Sequence, residues 1–339
     1  MNTRQKFVLG AAAGAAASFI ASRVARSRRA FDLRGRVVVI TGGSRGLGLV
    51  LARHFAAQGA RLCLLARDES ELARAAGQFA PDSDVMPVRC DIRRRADVRA
   101  AVDTILERWG VIDVLVNNAG IIQVGPLEHM TTGDFENAMA THFWGPLHLM
   151  FEIVPAMRRR GFGRIVNITS IGGRIAVPHL APYCASKFAL VGLSDAVRTE
   201  LDQYGIRVTT VSPGLMRTGS PIRASVKGQH EAEYAWFAIS DSLPGLSTSA
   251  ENAAARIVEA CRHGDPELTL TLPAKLAMMA NHVMPRAVAR GMMLANTLLP
   301  GPNFGDGERS QLGAESTSKW APSAVTVLTD KAAVVNNEV

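Results

Sequence analysis

Short apolar runs rich in β-branched residues alternate along this chain with longer stretches whose apolar positions have helical spacing. The predicted strands are Arg36–Thr41, Arg61–Ala66, Val85–Cys90, Asp113–Asn117, Gly163–Thr169, Ile206–Val211 and Leu268–Leu272. The predicted helices include Leu47–Gln58, Glu69–Phe79, Asp97–Trp109, Asp134–Arg159 and Tyr183–Tyr204. Several strands are apolar on both faces, as buried parallel strands are. This alternation predicts right-handed βαβ units and a doubly wound α/β sheet.

The alternating pattern fills residues 32–273, which we interpret as one domain. Residues 274–300 form a Met-rich apolar stretch that is broken by Pro285 and interrupted by basic residues. This stretch predicts two amphipathic helices that pack on the domain, on a partner or on a membrane surface. Residues 301–339 are rich in Gly, Ser, Asn and Ala, and this composition predicts disorder.

Residues 1–31 form an N-terminal arm outside the predicted fold. The arm holds six of the eight excess positive charges and no acidic residue. Its apolar run, Phe7–Ala21, would span about 22 Å as a helix, which is less than the roughly 30 Å hydrocarbon core of a bilayer. Three interpretations stay open: a marginal membrane anchor or interfacial helix, an export signal in which Gln5 replaces the second Arg of a twin-arginine pattern, or a plain flexible arm. We favour the first, which predicts a cytoplasmic domain attached to the inner membrane.

The rest of the chain is close to neutral and has no basic helix interleaved with aromatic residues, which disfavours nucleic acid as a partner. The four cysteines, Cys63, Cys90, Cys184 and Cys261, form no C-x-x-C pair and have no His cluster beside them. They predict neither a metal site nor a disulfide framework. Cys184 is interpreted as a small apolar residue rather than as a reactive thiol.

The first predicted strand leads directly into a glycine-rich turn and a helix. Glycines 42, 46 and 48 permit a tight turn and let backbone N–H groups approach a pyrophosphate at the positive end of the helix. The strand–turn–helix context predicts dinucleotide binding rather than an ordinary turn. The candidate cofactor-binding residues here are Thr41, Gly42, Ser44, Arg45, Gly46, Leu47 and Gly48.

The end of the second predicted strand indicates which dinucleotide binds. A carboxylate there would bind the ribose 2′-hydroxyl and repel a 2′-phosphate. The chain has Arg67 instead, and Arg45 adds a second guanidinium from the glycine turn. Two guanidiniums without an intervening carboxylate suit a phosphate, although Asp68 comes one residue later. The sequence therefore predicts NADP(H).

Three side chains suggest the chemistry. Tyr183 and Lys187 are four residues apart and share one face of a predicted helix. A phenol has an ordinary pKa near 10, and a neighbouring ammonium lowers that pKa toward neutral pH. Ser170 stands at the end of an apolar strand, where ligands bind in open α/β sheets.

Together these residues resemble the short-chain dehydrogenase/reductase family. The matching motifs are Thr41-Gly-x-x-x-Gly46-x-Gly48, Asn117-Asn118-Ala119-Gly120, Ser170, Tyr183-x-x-x-Lys187 and Pro213-Gly214, in consistent order over about residues 34–272. The resemblance implies an NAD(P)-dependent oxidoreductase on a three-layer doubly wound Rossmann fold with a seven-stranded parallel sheet. It also implies a homodimer or homotetramer that acts on a small-molecule alcohol or carbonyl compound.

The resemblance further implies a role for each matched residue. Tyr183 donates or accepts the substrate proton, Ser170 binds the carbonyl oxygen, and Lys187 binds the nicotinamide ribose and lowers the pKa of Tyr183. Asn117 helps to hold the fourth strand and the adenosine side. The other implied cofactor contacts are Asp91 and Ile92 after the third strand, Asn118, Ala119 and Gly120 after the fourth, and Pro213, Gly214 and Thr218 after the sixth.

His142 departs from the family pattern, in which an Asn three residues before a Gly anchors a water of a proton relay. Here His142 precedes Gly145. Two interpretations stay open: His142 titrates in the relay and acts as a catalytic residue, or it is a packed helix histidine.

The substrate is indicated only by composition. The long segment from Pro213 to Pro244 matches a substrate-binding lid and carries Leu215, Met216, Tyr234, Trp236 and Phe237, and Ile121, Ile122, Ile175, Val177 and Leu180 are expected near the same pocket. These residues favour a lipophilic substrate, although lids pack with apolar residues whatever their ligand. The alternative functions are a non-catalytic NADP(H)-binding regulatory or scaffold protein and an epimerase or dehydratase.

Overall fold

The computed structural model describes residue 26, residues 30–303, residue 305 and residues 307–339. A seven-stranded parallel sheet lies at the centre of the molecule, with the strand order β7-β6-β5-β4-β1-β2-β3. Its strands are β1 (Val37–Thr41), β2 (Arg61–Ala66), β3 (Val85–Arg89), β4 (Val114–Asn117), β5 (Gly163–Ile168), β6 (Ile206–Ser212) and β7 (Glu267–Thr269). The strand order reverses between β1 and β4, so a crevice lies beyond the carboxyl ends of these two strands.

Helices cover both faces of the sheet, which confirms the predicted three-layer α/β fold. They are α1 (Gly46–Ala56), α2 (Glu69–Ala76), α3 (Arg95–Trp109), α4 (Thr132–Met139), α5 (Gly145–Arg160), α6 (Ala181–Leu201), α7 (His230–Ser242), α8 (Ala250–His263), α9 (Leu272–Val283), α10 (Pro285–Asn296) and α11 (Val327–Val335). The predicted single helix Asp134–Arg159 is divided into α4 and α5 by a π-helical turn, Ala140–Trp144.

Alternate residues of the central strands pack on opposite faces of the sheet. Val38 and Ile40 of β1 belong to the apolar cluster under α1 and α8, whereas Val37 and Val39 belong to the cluster under α3 and α5. Both sets are fully buried, and each such side chain contributes roughly 1.5–3 kcal/mol by leaving water. This two-sided burial explains the continuous apolar runs in the sequence.

The two amphipathic helices predicted within residues 274–300 are α9 and α10. Pro285 is the first residue of α10, where a helix needs no backbone N–H. No residue of α10 is buried, and α9 buries only Ala274.

The structure contradicts the prediction that residues 301–339 are disordered. Within the described part of this tail, Gln311–Leu312 pairs with Ser225–Val226, α11 packs on α7, and Ala321 and Ala333 are buried. Small apolar residues and Asn side chains hold the tail. Composition alone does not reveal such contacts, because the tail has no regular apolar periodicity.

Residues 1–25 lie outside the described residues, and the interpretations of the N-terminal arm stay predictions. Among the helices that are described, none is both long enough and apolar enough to cross a membrane.

Candidate active site

The glycine turn, residues 41–48, has the close backbone approach that its sequence predicts. Gly42 and Gly46 adopt left-handed backbone conformations, with φ of 63° and 54°. A methyl group at Gly48 would collide with the carbonyl oxygen of Gly42 and would lie 2.7 Å from Asn118 Nδ2. Only glycine at position 48 lets the first turn of α1 lie this close to the end of β1.

Hydrogen bonds join the glycine turn to the end of β4. Thr41 Oγ1 accepts from the N–H groups of Asn118 and Ala119, both at 2.9 Å. Asn118 Nδ2 donates in return to the carbonyl oxygen of Thr41 at 3.0 Å. Asn117 is buried and donates from Nδ2 to Asn167 Oδ1 at 2.8 Å, so it holds β4 against β5.

A cavity of about 700 Å³ extends from the glycine turn to Tyr183, and we call it the main cavity. Most of the predicted site residues line it: Gly42, Ser44, Arg45, Gly46, Leu47, Arg67, Asp91, Ile92, Asn118, Ala119, Gly120, His142, Tyr183, Lys187 and Thr218. Five other predicted site residues do not line the cavity: Thr41, Gly48, Ser170, Pro213 and Gly214.

The three predicted catalytic side chains meet at the carboxyl end of β5. Tyr183 enters the main cavity from the first turn of α6, and the Ser170 hydroxyl, which accepts from the N–H of Gly172 at 3.0 Å, acts on the phenol and lowers its pKa. Lys187, one turn further along α6, donates from Nζ to the carbonyl oxygen of Ile168 at 2.9 Å. Its Nζ lies 5.7 Å from the centre of the Tyr183 ring.

The pKa of Tyr183 differs from the prediction. Burial raises the pKa of the phenol to about 12, although the hydrogen bond from Ser170 lowers it in part. Burial also lowers the pKa of the Lys187 ammonium to about 7. In the protein alone, burial therefore outweighs the predicted effect of the ammonium on the phenol, and Tyr183 holds its proton at neutral pH.

His142 lies in the π-helical turn, is fully buried and packs edge-on against the Tyr183 ring. Its Nε2 accepts from the N–H of Ile121 at 3.1 Å. In a neutral ring Nδ1 must then carry the proton, and it donates to Ser186 Oγ at 2.7 Å. Ser186 donates in turn to the carbonyl oxygen of Tyr183 at 2.9 Å. Burial lowers the pKa of His142 well below its ordinary value.

The two predicted guanidiniums, Arg45 and Arg67, lie at the far end of the main cavity. Two carboxylates that the sequence analysis did not single out also lie there. Within the described part of the chain Arg67 is exposed and makes no hydrogen bond. The Asp68 carboxylate caps α2 by accepting from the N–H of Glu71. Arg45 instead contacts two other carboxylates: Nε is 3.5 Å from Glu71 and Nη1 is 2.7 Å from Glu338. Glu71 and Glu338 carried no local motif that would have indicated this position.

The remaining predicted cofactor contacts lie along the cavity wall. The hydrogen bonds from Arg93 lower the pKa of the Asp91 carboxyl, so Asp91 is ionised beside the cavity. Thr218 is buried and donates from Oγ1 to Ser220 Oγ at 2.9 Å. A methyl group at Gly214 would lie 2.5 Å from Thr271 Oγ1, so Gly214 permits close packing on the start of α9.

An apolar cluster surrounds Tyr183 on the side of the predicted lid. Ile122, Val177, Leu180, Trp236 and Phe237 belong to it, as the sequence predicts. Tyr234 does not, because it is fully buried in a separate cluster with Ala321 of the tail. The lid helix α7 also brings Asp241, which the sequence did not single out. Burial raises the pKa of this carboxyl to about 7, and it accepts from the N–H of Met216 at 3.3 Å.

Comparisons with known proteins agree with this geometry. A profile described as "short chain dehydrogenase" matches residues 36–227. Dehydrogenase/reductase SDR family member 7B of Danio rerio is 37% identical over 208 residues, covering 59% of this chain and 67% of that protein. The crystal structure of L-sorbose reductase from Gluconobacter frateurii, complexed with NADPH and L-sorbose, has a TM-score of 0.64 at 27% identity and covers 71% and 97% of the two chains. A short-chain dehydrogenase/reductase from Burkholderia phymatum in complex with NAD has a TM-score of 0.68 at 25% identity and covers 76% and 96%.

Proposed function

Because the chain belongs to the short-chain dehydrogenase family and is an oxidoreductase, we propose that it transfers a hydride between NADP(H) and a lipophilic alcohol or carbonyl compound. Tyr183 is the general acid/base of this reaction. The observation that carries the proposal is the position of Tyr183 and Lys187 in the wall of the main cavity, one helical turn apart, with Ser170 beside the phenol at the carboxyl end of β5. Such a constellation serves proton transfer to a carbonyl oxygen.

The residues around the main cavity suit the chemical groups of a nicotinamide dinucleotide. The glycine turn leaves no room for a β-carbon at Gly48 and presents the N-terminus of α1, which suits a pyrophosphate. Arg45 and Arg67 line the same cavity and would bind a 2′-phosphate, and Lys187 would bind the ribose hydroxyls. A nicotinamide bound there supplies or accepts the hydride.

The chain's own residues supply the proton and hold the substrate. With a pKa of about 12, Tyr183 keeps its phenolic proton and can donate it to a carbonyl oxygen. Ser170 O–H is a second donor to that oxygen, and a protonated Lys187 stabilises the phenolate that remains. The surrounding apolar cluster, which includes Ile122, Val177 and Phe237, excludes water and favours a lipophilic substrate.

For His142 we infer a positioning role rather than a relay role. Both of its ring nitrogens have fixed partners, Ile121 N–H and Ser186 Oγ, and the ring is neutral. His142 is linked to the backbone of Tyr183 by the hydrogen bond that Ser186 donates to the Tyr183 carbonyl oxygen. Its ring also packs edge-on against the Tyr183 ring and so restricts the position of the phenol. His142 therefore orients Tyr183 without exchanging protons near neutral pH.

The neutral state of His142 predicts a pH-dependent stability. Its folded pKa lies well below the ordinary value of 6.5, so its contribution is complete above pH 6.5 and is lost as the pH falls below 6.5. The free energy of unfolding should then fall by up to about 1.4 kcal/mol per pH unit from this group. Chemical denaturation at several pH values should show that His142→Asn removes this slope. The matched control His282→Asn, on exposed α9 surface, should keep it; an unchanged slope in His142→Asn would contradict the neutral state.

The choice of NADP(H) predicts a selective loss of affinity. Arg67→Gln should weaken NADPH binding by about tenfold, the equivalent of one charged hydrogen bond, and should leave NADH binding unchanged. Nucleotide fluorescence titrations measure both affinities, with Arg99→Gln on the exposed face of α3 as the control. Wild-type protein that binds NADH as tightly as NADPH would refute the preference.

Two further predictions belong to the same proposal. The chain forms a homodimer or homotetramer. Its N-terminal arm attaches it to a membrane surface. Its Ser170, Tyr183 and Lys187 constellation is intact, which supports catalysis over a scaffold role.

A further inference from the structure

The last helix and the residues after it lie against the glycine turn. We call residues 327–338 the α11 segment. Ala333 packs on Gly219, where even a methyl group would collide with it. The N–H of Gly46 donates to the carbonyl oxygen of Asn336 at 2.8 Å, and Asn337 Nδ2 donates to the carbonyl oxygen of Ser44 at 2.9 Å.

Glu338 extends this contact into the main cavity. Its side chain is only 4% exposed, and Oε2 accepts from Arg45 Nη1 at 2.7 Å. A methyl group added to Gly46 would lie only 2.6 Å from Glu338 Oε1. The guanidinium of Arg223 donates from Nε to the main-chain oxygen of Glu338 at 2.7 Å. Burial raises the pKa of the Glu338 carboxyl, whereas Arg45 and Arg223 oppose that rise.

These contacts use the groups that the proposed function assigns to phosphates. The Gly46 N–H, at the start of α1, meets a carbonyl oxygen, and the Arg45 guanidinium meets a carboxylate. Carboxylates and phosphates are alternative ligands for a guanidinium, and two anions cannot share one donor set at this distance without repulsion.

We propose that the α11 segment competes with the dinucleotide for its own binding site. The Asn336 carbonyl and the Glu338 carboxylate occupy positions of the cofactor phosphates, and the segment must leave before NADP(H) binds. The proposal rests on the proposed function, and it adds an autoinhibitory contact to that site.

The α11 segment makes both buried and exposed contacts. Asn336 Nδ2 donates to the carbonyl oxygen of Thr218 at 3.3 Å, and Ser242 Oγ donates to Thr329 Oγ1 at 2.7 Å, both in buried positions. Its other polar contacts with the domain include Arg53 Nη2 to the carbonyl oxygen of Val335, at 2.8 Å, and Arg74 Nε to Asn337 Oδ1, at 3.1 Å. The first lies at the exposed surface and the second is half-buried, so water can replace them. Val334 and Val335 face solvent. A helix as short as α11 is marginal without its contacts, so it is expected to unfold once it has left the domain.

Two variants of the full-length chain test the competition. Glu338→Gln removes the competing charge, and Ala333→Arg places a large side chain where α11 packs on Gly219. The matched control is Val334→Arg, which adds the same side chain to the exposed face of the same helix. Both variants should lower the fraction of molecules in which the α11 segment covers the dinucleotide site, and this raises the apparent affinity for NADPH. NADPH should therefore bind about tenfold more tightly to Glu338→Gln and to Ala333→Arg than to wild type. Val334→Arg should match wild type.

Hydrogen–deuterium exchange gives a readout that does not depend on turnover. NADPH should increase amide exchange in residues 327–338 of the wild-type chain. A decrease on NADPH binding, or equal NADPH affinity in wild type and both variants, would overturn the competition while leaving the proposed function in place. Failure of all variants to bind either dinucleotide would overturn both.

Discussion

Replacing Tyr183 by Phe is expected to reduce turnover by about 10³-fold, the size of effect typical for loss of a positioned general acid. Phe keeps the ring that packs against His142 but removes the phenolic proton that Ser170 and the substrate oxygen would share. The affinity for NADPH should stay unchanged, because the hydroxyl is not part of the predicted phosphate-binding region. Steady-state rates and nucleotide titration on the same preparation measure the two quantities separately.

The matched control is Tyr204→Phe. Tyr204 lies near the end of the α6 region and contacts Arg158 rather than the main cavity. Its variant should turn over like wild type. Undiminished activity in Tyr183→Phe would refute the assignment of Tyr183 as the acid.

Replacing Gly48 by Ala is expected to disrupt the glycine turn. The new methyl group would collide with the carbonyl oxygen of Gly42 and crowd Asn118 Nδ2. Asn118 Nδ2 donates hydrogen bonds to the carbonyl oxygens of Thr41 and Gly42. Neither the Gly42 carbonyl nor the Asn118 side chain can therefore move away without breaking these hydrogen bonds. The free energy of unfolding should fall by about 1–3 kcal/mol, as for other overpacked sites, and dinucleotide binding should be lost.

Gly192→Ala is the matched control. Gly192 is an exposed residue within α6, and nothing lies within 4 Å of its added methyl group. Alanine is the better helix former, so this variant should gain roughly 0.5–1 kcal/mol. Chemical denaturation of both variants checks the opposite signs. Equal effects would show that the space around Gly48 is not what requires glycine.

Local patterns were enough to predict the sheet and most of the main cavity. Apolar runs determine the strands. The glycine turn and Ser170 follow the ends of strands, and Tyr183 lies one helical turn before Lys187. Parallel topology then brings these strand ends together. Because the carboxyl ends of parallel strands meet at one edge of the sheet, the sequence could predict that these residues surround one cavity.

Contacts between distant segments could not be predicted in this way. Glu338 reaches Arg45 across 293 positions, and the interval between them carries no repeated pattern that would reveal the pairing. The pKa of Tyr183 in the cofactor-free protein also depends on distant segments. The spacing to Lys187 was visible, but the depth of burial that raises the phenol's pKa depends on the packed lid. The proposed positioning role of His142 likewise rests on Ile121 and Ser186, which contact its two ring nitrogens and which no sequence pattern indicated.

The central claim is that this chain moves a hydride to a carbonyl carbon while Tyr183 protonates the oxygen. Its most direct test uses NADPH that carries deuterium at the transferred position of the nicotinamide, incubated with a panel of lipophilic ketones and aldehydes. Mass spectrometry of the alcohols should find deuterium on the carbinol carbon with the wild-type chain, and Tyr183→Phe should form this labelled alcohol about 10³-fold more slowly. Bound NADPH without labelled alcohol from any member of the panel, or equal labelling by both proteins, would contradict the account.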